Sequence, residues 1–485
     1  MDKYKVMIGL EMHCEISKTN SKVFSAAKNE YTPDANTCIR AIDLAFPGIL
    51  PVVNKEAVRK SLMVSMILNC TQPKELYFER KNYYYPDLPK GYQLTQETKP
   101  APIGSFGEVK FMCDGVEKTV RVNNLHLEED AASMQHFSDV SLIDYNRAGV
   151  PLLELVTEPD LRSSAEAVAF LEHMRSIYQY TNISEADSKK GQIRCDVNVS
   201  IMDKDLDETD PKNWGTKIEV KNVNSFGAVR DAIEFEIKRQ IEAKEDGTYD
   251  EMEQQTRRWD DSIGETVFMR SKVDAIDYKY FIEPNIPRFI LTEKWLKEIR
   301  DSIPELADAR RDRYMKDYKL SDYDASILVK EKAVSDYFED MVKMGVSPKT
   351  SANWVNTTIL GTLSKLDMDI EDFPVKSNIL GEMLKMVEEG SVSRNQAKDV
   401  LREALDENKN PLDIIEEKGI KQIQDDDYLE KIVDEVLAKS EKLVEDYKSG
   451  KTNAINAILG GVMKETKGKA NPSKAMQILK EKIGD

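Results

Sequence analysis

Over residues 6–16 apolar and polar side chains alternate with a period of two, so that Val6, Ile8, Leu10, Met12, Cys14 and Ile16 share one face and Glu11, His13 and Glu15 the other. Residues 193–201 repeat the pattern, with Arg194, Asp196, Asn198 and Ser200 on the polar side, and Lys217, Glu219 and Lys221 alternate with Ile218 and Val220. Strands of this kind predict a largely antiparallel sheet with one packed face and one polar face. The period lengthens to a helical one over residues 54–69, behind an Asn cap, and again over 164–179 and 225–244. From about Thr292 helix follows helix, the first marked by Trp295, Leu296 and Ile299 and a later one by Val334, Tyr337, Phe338 and Met341. The charged stretch 406–410 before Pro411 reads as a linker into a last helical module, where Ile455, Ile458, Leu459, Val462 and Met463 form an amphipathic stripe. The expectation is an α+β chain: a large domain of mainly antiparallel sheet over 1–292, an all-helical domain over 293–408 and a small helical tail over 409–485.

Composition narrows the class. With 485 residues, 40% of them hydrophobic and 32% charged, the chain can bury more than one core, which excludes disordered, collagen-like and disulfide-scaffold readings. No run approaches the roughly 18 uncharged apolar residues of a membrane span. The first residues enter a strand directly, with neither a basic-then-apolar signal nor an Arg-rich presequence, so a cytoplasmic location is expected. The cysteines Cys14, Cys38, Cys70, Cys113 and Cys195 are odd in number and form no C-x-x-C pair, which predicts reduced thiols and no zinc.

A net charge of −18 argues against nucleic-acid binding by the molecule as a whole. The distribution is uneven, because residues 403–447 hold 15 acids and 6 bases while residues 448–482 hold 8 lysines and 2 acids. In that basic end Lys464, Lys467 and Lys469 surround a helix end and a turn, a pattern suited to nucleic-acid backbone phosphates and equally allowed for a solvated turn.

The chain has neither G-x-x-x-x-G-K-[ST] nor G-x-G-x-x-G, so any nucleotide is held without the usual phosphate loops. The candidate chemistry is acidic: Glu11 and His13 on one strand, the run His126-Leu127-Glu128-Glu129-Asp130, and Glu154 set among leucines. A carboxylate in such a place must be paired, protonated or bound to a cation, and carboxylates with one histidine suit Mg²⁺. The plain alternative is a solvated acidic turn beside one satisfied core glutamate, with His126 a packed histidine. Residues 78–93 interleave Arg80, Lys81 and Lys90 with Tyr83, Tyr84, Tyr85 and Tyr92, which fits phosphate and base contacts or a Tyr-rich strand packed on the core.

At these residues the sequence resembles a known family. Residues 8–13, 78–93, 125–131, 144–160, 194–200, 219–226, 256–284 and 462–472 resemble the B subunits of bacterial tRNA-dependent amidotransferases, and the match runs end to end. The resemblance implies a cradle domain, a helical domain and a tail similar to the YqeY family, working in a heterotrimer with a glutaminase A subunit and a small C subunit. It implies that ATP phosphorylates the side-chain carboxylate of Glu-tRNA(Gln) or Asp-tRNA(Asn) and that ammonia, channelled from the A subunit, gives the amide. By motif it implies Glu11, His13, Glu129 and Glu154 as Mg²⁺ or supporting ligands with Glu128 beside them. Lys81 and Lys90 would contact phosphates or line the ammonia entry, Asp196 and Asn198 would position the aminoacyl group or a water, and Lys464, Lys467 and Lys469 would contact tRNA.

Two departures stand out. Where relatives carry a C-x-x-C stretch this chain has only Cys38, and the frequent Glu-Asp-Ala-Gly-Lys becomes Glu129-Asp130-Ala131-Ala132-Ser133. Retention of the carboxylates favours a catalytic subunit over the alternative, a tRNA-binding scaffold whose chemistry resides in a partner.

Overall fold

The computed structural model describes residues 3–271, 277–420, 426–449, 451, 453–466, 470 and 472–484. Two compact units divide the chain, Met1–Leu306 and Ala307–Asp485. The first is built on eight strands: β1 (Tyr4–Glu15), β2 (Gly104–Cys113), β3 (Val116–Glu129), β4 (Pro151–Thr157), β5 (Ile193–Asp203), β6 (Ile218–Val223), β7 (Gln255–Asp260) and β8 (Glu265–Ser271). Their order across the sheet is β8-β7-β6-β5-β1-β4-β3-β2. All neighbours run antiparallel except β6 and β7. That parallel pair follows from the chain between them, which includes a helix over Phe226–Glu245, because parallel neighbours need a crossover.

The central strand β1 owes its place to its alternation. Ile8, Leu10, Met12, Cys14 and Ile16 are all buried in the first core, while Glu11, His13 and Glu15 remain partly exposed on the opposite face. Three helices supply the other half of that core: α1 (Lys55–Ile67), α2 (Ser164–Tyr180) and α3 (Phe226–Glu245). Each starts on a side-chain cap, Asn54, Ser163 and Ser225, whose oxygen accepts otherwise orphaned backbone N–H groups. The apolar face of the sheet is thereby covered and the polar face left for chemistry. A small sheet of Glu79–Asn82, Tyr92–Thr95 and Phe281–Ile282 completes this region.

The helix Glu293–Asp301, expected to open the helical domain, instead buries Ile299 in the first core with Trp295 and Leu296 packed against it. In the second unit Val334, Tyr337, Phe338 and Met341 lie in one core, and a second core is formed by Leu429, Val433, Val436, Ile455, Ile458, Val462 and Leu479 among others. Pro411 does not follow a loose linker: it opens the helix Pro411–Glu417, capped by Asn410, whose Ile414 and Ile415 belong to the first of these two cores. All five cysteines are buried free thiols. Among the described residues no helix is long and apolar enough to cross a membrane.

Candidate active site

Strand register decides which polar residues meet. β1 pairs Glu11 with Asp196 and His13 with Arg194 on β5, and Glu11 with Val156 and His13 with Glu154 on β4. β4 in turn pairs Glu154 with His126 and Leu152 with Glu128 on β3. One row across four strands therefore reads His126, Glu154, His13, Arg194. Side chains on facing positions of neighbouring strands are in contact range.

Glu154 is the hub. Its Oε2 lies 3.1 Å from His13 Nε2 and 3.1 Å from His126 Nε2. Glu11 Oε1 is 3.9 Å from His13 Nε2, and Glu128 Oε2 is 3.7 Å from His126 Nε2. Ligand atoms of Glu11, His13 and Glu154 fall within 4.8 Å of one another, as do those of His126, Glu128 and Glu154. The contact between His126 and Glu154 is close yet poorly aimed, so the buried Nε2 has no hydrogen-bond partner among the described residues. Its other nitrogen, Nδ1, is 3.0 Å from Asn124 Oδ1 and so carries the proton of that bond. A neutral ring would then turn a lone pair on a carboxylate.

The electrostatics follow. Burial pushes His13 down, but Glu154 beside it, helped by Glu128 and Glu11, holds it up at about 9. Burial likewise pushes His126 down, but Glu154 and Glu128 hold it well above the usual imidazole range. Burial would raise Glu154, yet His126 and His13 hold it well below the ordinary carboxylate value. Glu11 is raised by burial and by Glu154. The two imidazoles, protonated, thus supply the positive charge that the buried Glu154 needs.

Glu129 lies elsewhere. Alternation along β3 sends it to the face opposite Glu128, where Lys90 Nζ donates to both its oxygens at 2.5 and 2.6 Å and Leu94 N donates to Oε1 at 2.9 Å. This pair borders a cavity of about 20 Å³ lined in part by Ser25, Asp43, Asp87 and Asp130. Lys81 lies in the Glu79–Asn82 strand with its ammonium 5.1 Å from the ring centre of Tyr278, and Arg80 beside it sits 4.1 Å over Tyr92 while bonding Glu283. Asp196 accepts from Lys221 Nζ at 2.5 Å. Asn198, opposite Gly9 and Glu219, is one row further along, with Oδ1 buried and without a hydrogen-bond partner among the described residues. Lys464 is exposed in the last turn of the helix Ala454–Glu465, while Lys467 and Lys469 lie outside the described residues. The structure thus gathers Glu11, His13, Glu154 and Glu128 with His126, and keeps Glu129 with Lys90 apart from them.

Residues 6–297 match the family model described as the GatB/GatE catalytic domain, and residues 336–483 one described as the GatB domain. The chain is 42% identical over 488 residues to the B subunit of the aspartyl/glutamyl-tRNA(Asn/Gln) amidotransferase of Carboxydothermus hydrogenoformans, covering 100% of this chain and 99% of that one. It belongs to the amidotransferase B-subunit family. The corresponding B subunits of Elusimicrobium minutum, 43% identical, and Clostridium beijerinckii, 42% identical, are likewise matched over 99% of both chains. The part of this B-subunit family member that matches the catalytic-domain model holds the whole carboxylate and histidine cluster together with the Lys90–Glu129 pair.

Proposed function

We propose that this chain is the catalytic B subunit of an ATP-dependent aminoacyl-tRNA amidotransferase, assembled with a glutaminase A subunit and a small C subunit and acting on Glu-tRNA(Gln) or Asp-tRNA(Asn). The observation that carries this reading is the convergence of Glu11, His13, His126 and Glu128 on Glu154.

Phosphorylating a carboxylate brings two anions together, so catalysis is positioning and charge stabilisation. The donor set fits Mg²⁺: it is oxygen-rich and open to solvent on one side at Glu11, and the two imidazoles, protonated without an ion, would give up their protons as it binds. Glu11, His13 and Glu154 would hold the ion, with His126 and Glu128 completing the set, and the ion would supply positive charge to offset the repulsion between nucleotide and substrate. An oxygen of the substrate carboxylate attacks the γ-phosphorus, the bond from that phosphorus to the bridging oxygen breaks, and its electron pair leaves with ADP. Ammonia then attacks the acyl carbon, the carbon–oxygen bond to phosphate breaks, phosphate departs with that pair, and one ammonia proton passes to solvent. Lys90, held by Glu129 at the edge of the cavity, and Lys81, beside the Tyr278 ring, are our candidates to contact phosphates or to line the ammonia entry. Asp196 and Asn198, one row apart on the same face of β5, are our candidates to position the aminoacyl group or a water.

The test is amide formation by the complex co-purified with its A and C partners, given ATP, Mg²⁺ and ammonium chloride in place of glutamine, on each charged tRNA in turn. Product that needs ATP and falls by about 10³-fold in Glu154→Gln is expected, the scale of losing a site's central electrostatic element. Tight tRNA binding without ATP-dependent product would overturn the catalytic reading in favour of a scaffold.

A further inference from the structure

Beyond the residues already assigned, the polar face continues one strand past Asp196. β6 carries Lys221 there, and Lys221 Nζ lies 2.5 Å from Asp196 Oδ2 and 3.4 Å from Glu219 Oε1. Glu219 is itself fixed, accepting from the hydroxyl of Thr256 on β7 at 2.8 Å. The register of β5 with β6 shifts between Cys195 and Val197, so an irregularity in the ladder falls at Asp196. Such bulges recur beside active sites because they re-aim a side chain. Since Asp196 stands directly opposite Glu11, the ammonium is held two strands from the carboxylate cluster, on the same face.

Three other cations near the site are more fully engaged, while Lys81 lies against the Tyr278 ring on the small sheet and not on this face. Lys90 is closed on both oxygens of Glu129, and Arg194 is bound to buried Asp130 at 2.6 Å, a carboxylate that Arg147 also approaches at 3.5 Å. Lys22 is wholly buried beside Asp43. Lys221 keeps 32% of its side chain exposed, and of its three ammonium hydrogens one is donated to Asp196, with Glu219 a further 3.4 Å ion-pair partner.

We propose that Lys221 is a phosphate-contacting residue of the phosphoryl-transfer step, binding the terminal phosphates of the nucleoside triphosphate, with Asp196 and Glu219 as positioning residues that hold it. This rests on the phosphorylation reading above. Lys221 donates N–H bonds and keeps its proton throughout, so bond making and breaking stay as written. Two carboxylates, one of them anchored by Thr256, reduce the freedom the lysine would otherwise lose on meeting the ligand.

The experiment uses the whole complex with ammonium chloride as nitrogen source and varies ATP and charged tRNA separately. Lys221→Met is expected to lower kcat/KM for ATP by about 10²-fold, in the range found for removing one transition-state donor, with KM for the charged tRNA unchanged and Lys221→Arg recovering part of the loss. Equilibrium binding of ADP with Mg²⁺ reads the same contact without turnover, and Asp196→Asn, which keeps the lysine and loosens it, is expected to weaken it several-fold. Should Lys221→Met fail to fold, Lys221→Arg and Asp196→Asn carry the test. Unaltered ATP kinetics and ADP binding in the folded variants would overturn the proposal while leaving the phosphorylation reading in place. A wild-type complex without ATP-dependent product would overturn both.

Discussion

Glu128 and Glu129 are neighbours in sequence and face opposite ways, and under the proposed function this gives them separate roles that composition alone would merge. Glu128 looks across to His126 and Glu154, whereas Glu129 is saturated by Lys90 and a backbone N–H. Glu128→Gln should therefore raise the Mg²⁺ concentration needed for half-maximal amide formation by about 10–100-fold, the cost of disturbing a ligand shell. Glu129→Gln should leave that Mg²⁺ dependence alone and still reduce turnover, because it frees Lys90. Equal Mg²⁺ dependence in the two variants would refute this division. The alternation that puts Glu11, His13 and Glu15 on one face was legible in the sequence. That His126, set between leucines, would meet Glu154 was not, because a period of two reveals a residue's face but not its cross-strand neighbour. Lys221 was legible only as one member of an alternating stretch for the same reason.

At the scale of elements, local signals and long-range choices part company. The caps at Asn54, Ser163 and Ser225 mark helix starts that sequence chemistry specifies, since a side-chain oxygen satisfies N–H groups within three residues. Which core an amphipathic helix joins is a different matter. The helices Glu293–Asp301 and Pro411–Glu417 present apolar residues that suit any core, so their sequences could not tell that they close the preceding one. The helical unit also holds a testable electrostatic clamp. Glu339, on the helix Lys332–Lys343, accepts from Arg313 at 2.5 Å and from buried Tyr314 at 2.9 Å, across to the helix Ala307–Asp317. Burial would raise its carboxyl, but the bonds from Arg313 and Tyr314 with the charge of Arg310 hold it below its usual value of 4.5. A depressed folded value means the stabilisation is full above the unfolded pKa and is lost as pH falls through the folded one. Glu339→Gln should thus destabilise the full chain by about 1–3 kcal/mol at pH 7, the usual range for losing a charged hydrogen bond. That difference should shrink as pH falls below 4.5 and vanish in stronger acid. Denaturant titrations of both proteins at several pH values measure it, and a gap constant with pH would show that packing, not charge, holds the clamp.

For the molecule as a whole the proposed function raises the question of how a chain of net charge −18 would meet a polyanion. The sheet face is rich in carboxylates and cannot attract a tRNA by field alone, so a dedicated basic surface is needed. Residues 448–482, with 8 lysines against 2 acids, are the strongest basic segment picked out in the sequence, and they follow a stretch of 15 acids and 6 bases that would repel the same ligand. The helices in this segment bury Ile455, Ile458, Val462 and Leu479 in a core shared with Leu429, Val433 and Val436 of the preceding helix, which leaves lysines such as Lys464 exposed. Each lysine that neutralises a phosphate releases a counterion and adds about one to the slope of log affinity against log salt. A chain ending at Tyr447, assembled with its A and C partners, should bind tRNA more weakly at low salt, and its salt slope should fall by about one per phosphate contact removed. Because the acidic stretch before it remains, the truncated complex should also associate more slowly at low ionic strength, with the gap closing as salt screens both signs. If affinity drops while the slope stays as in the full chain, the tail supports the cores of the second unit and the phosphate contacts belong to another surface. The slope separates these outcomes where affinity alone would not, since loss of a structural cap and loss of lysines both weaken binding.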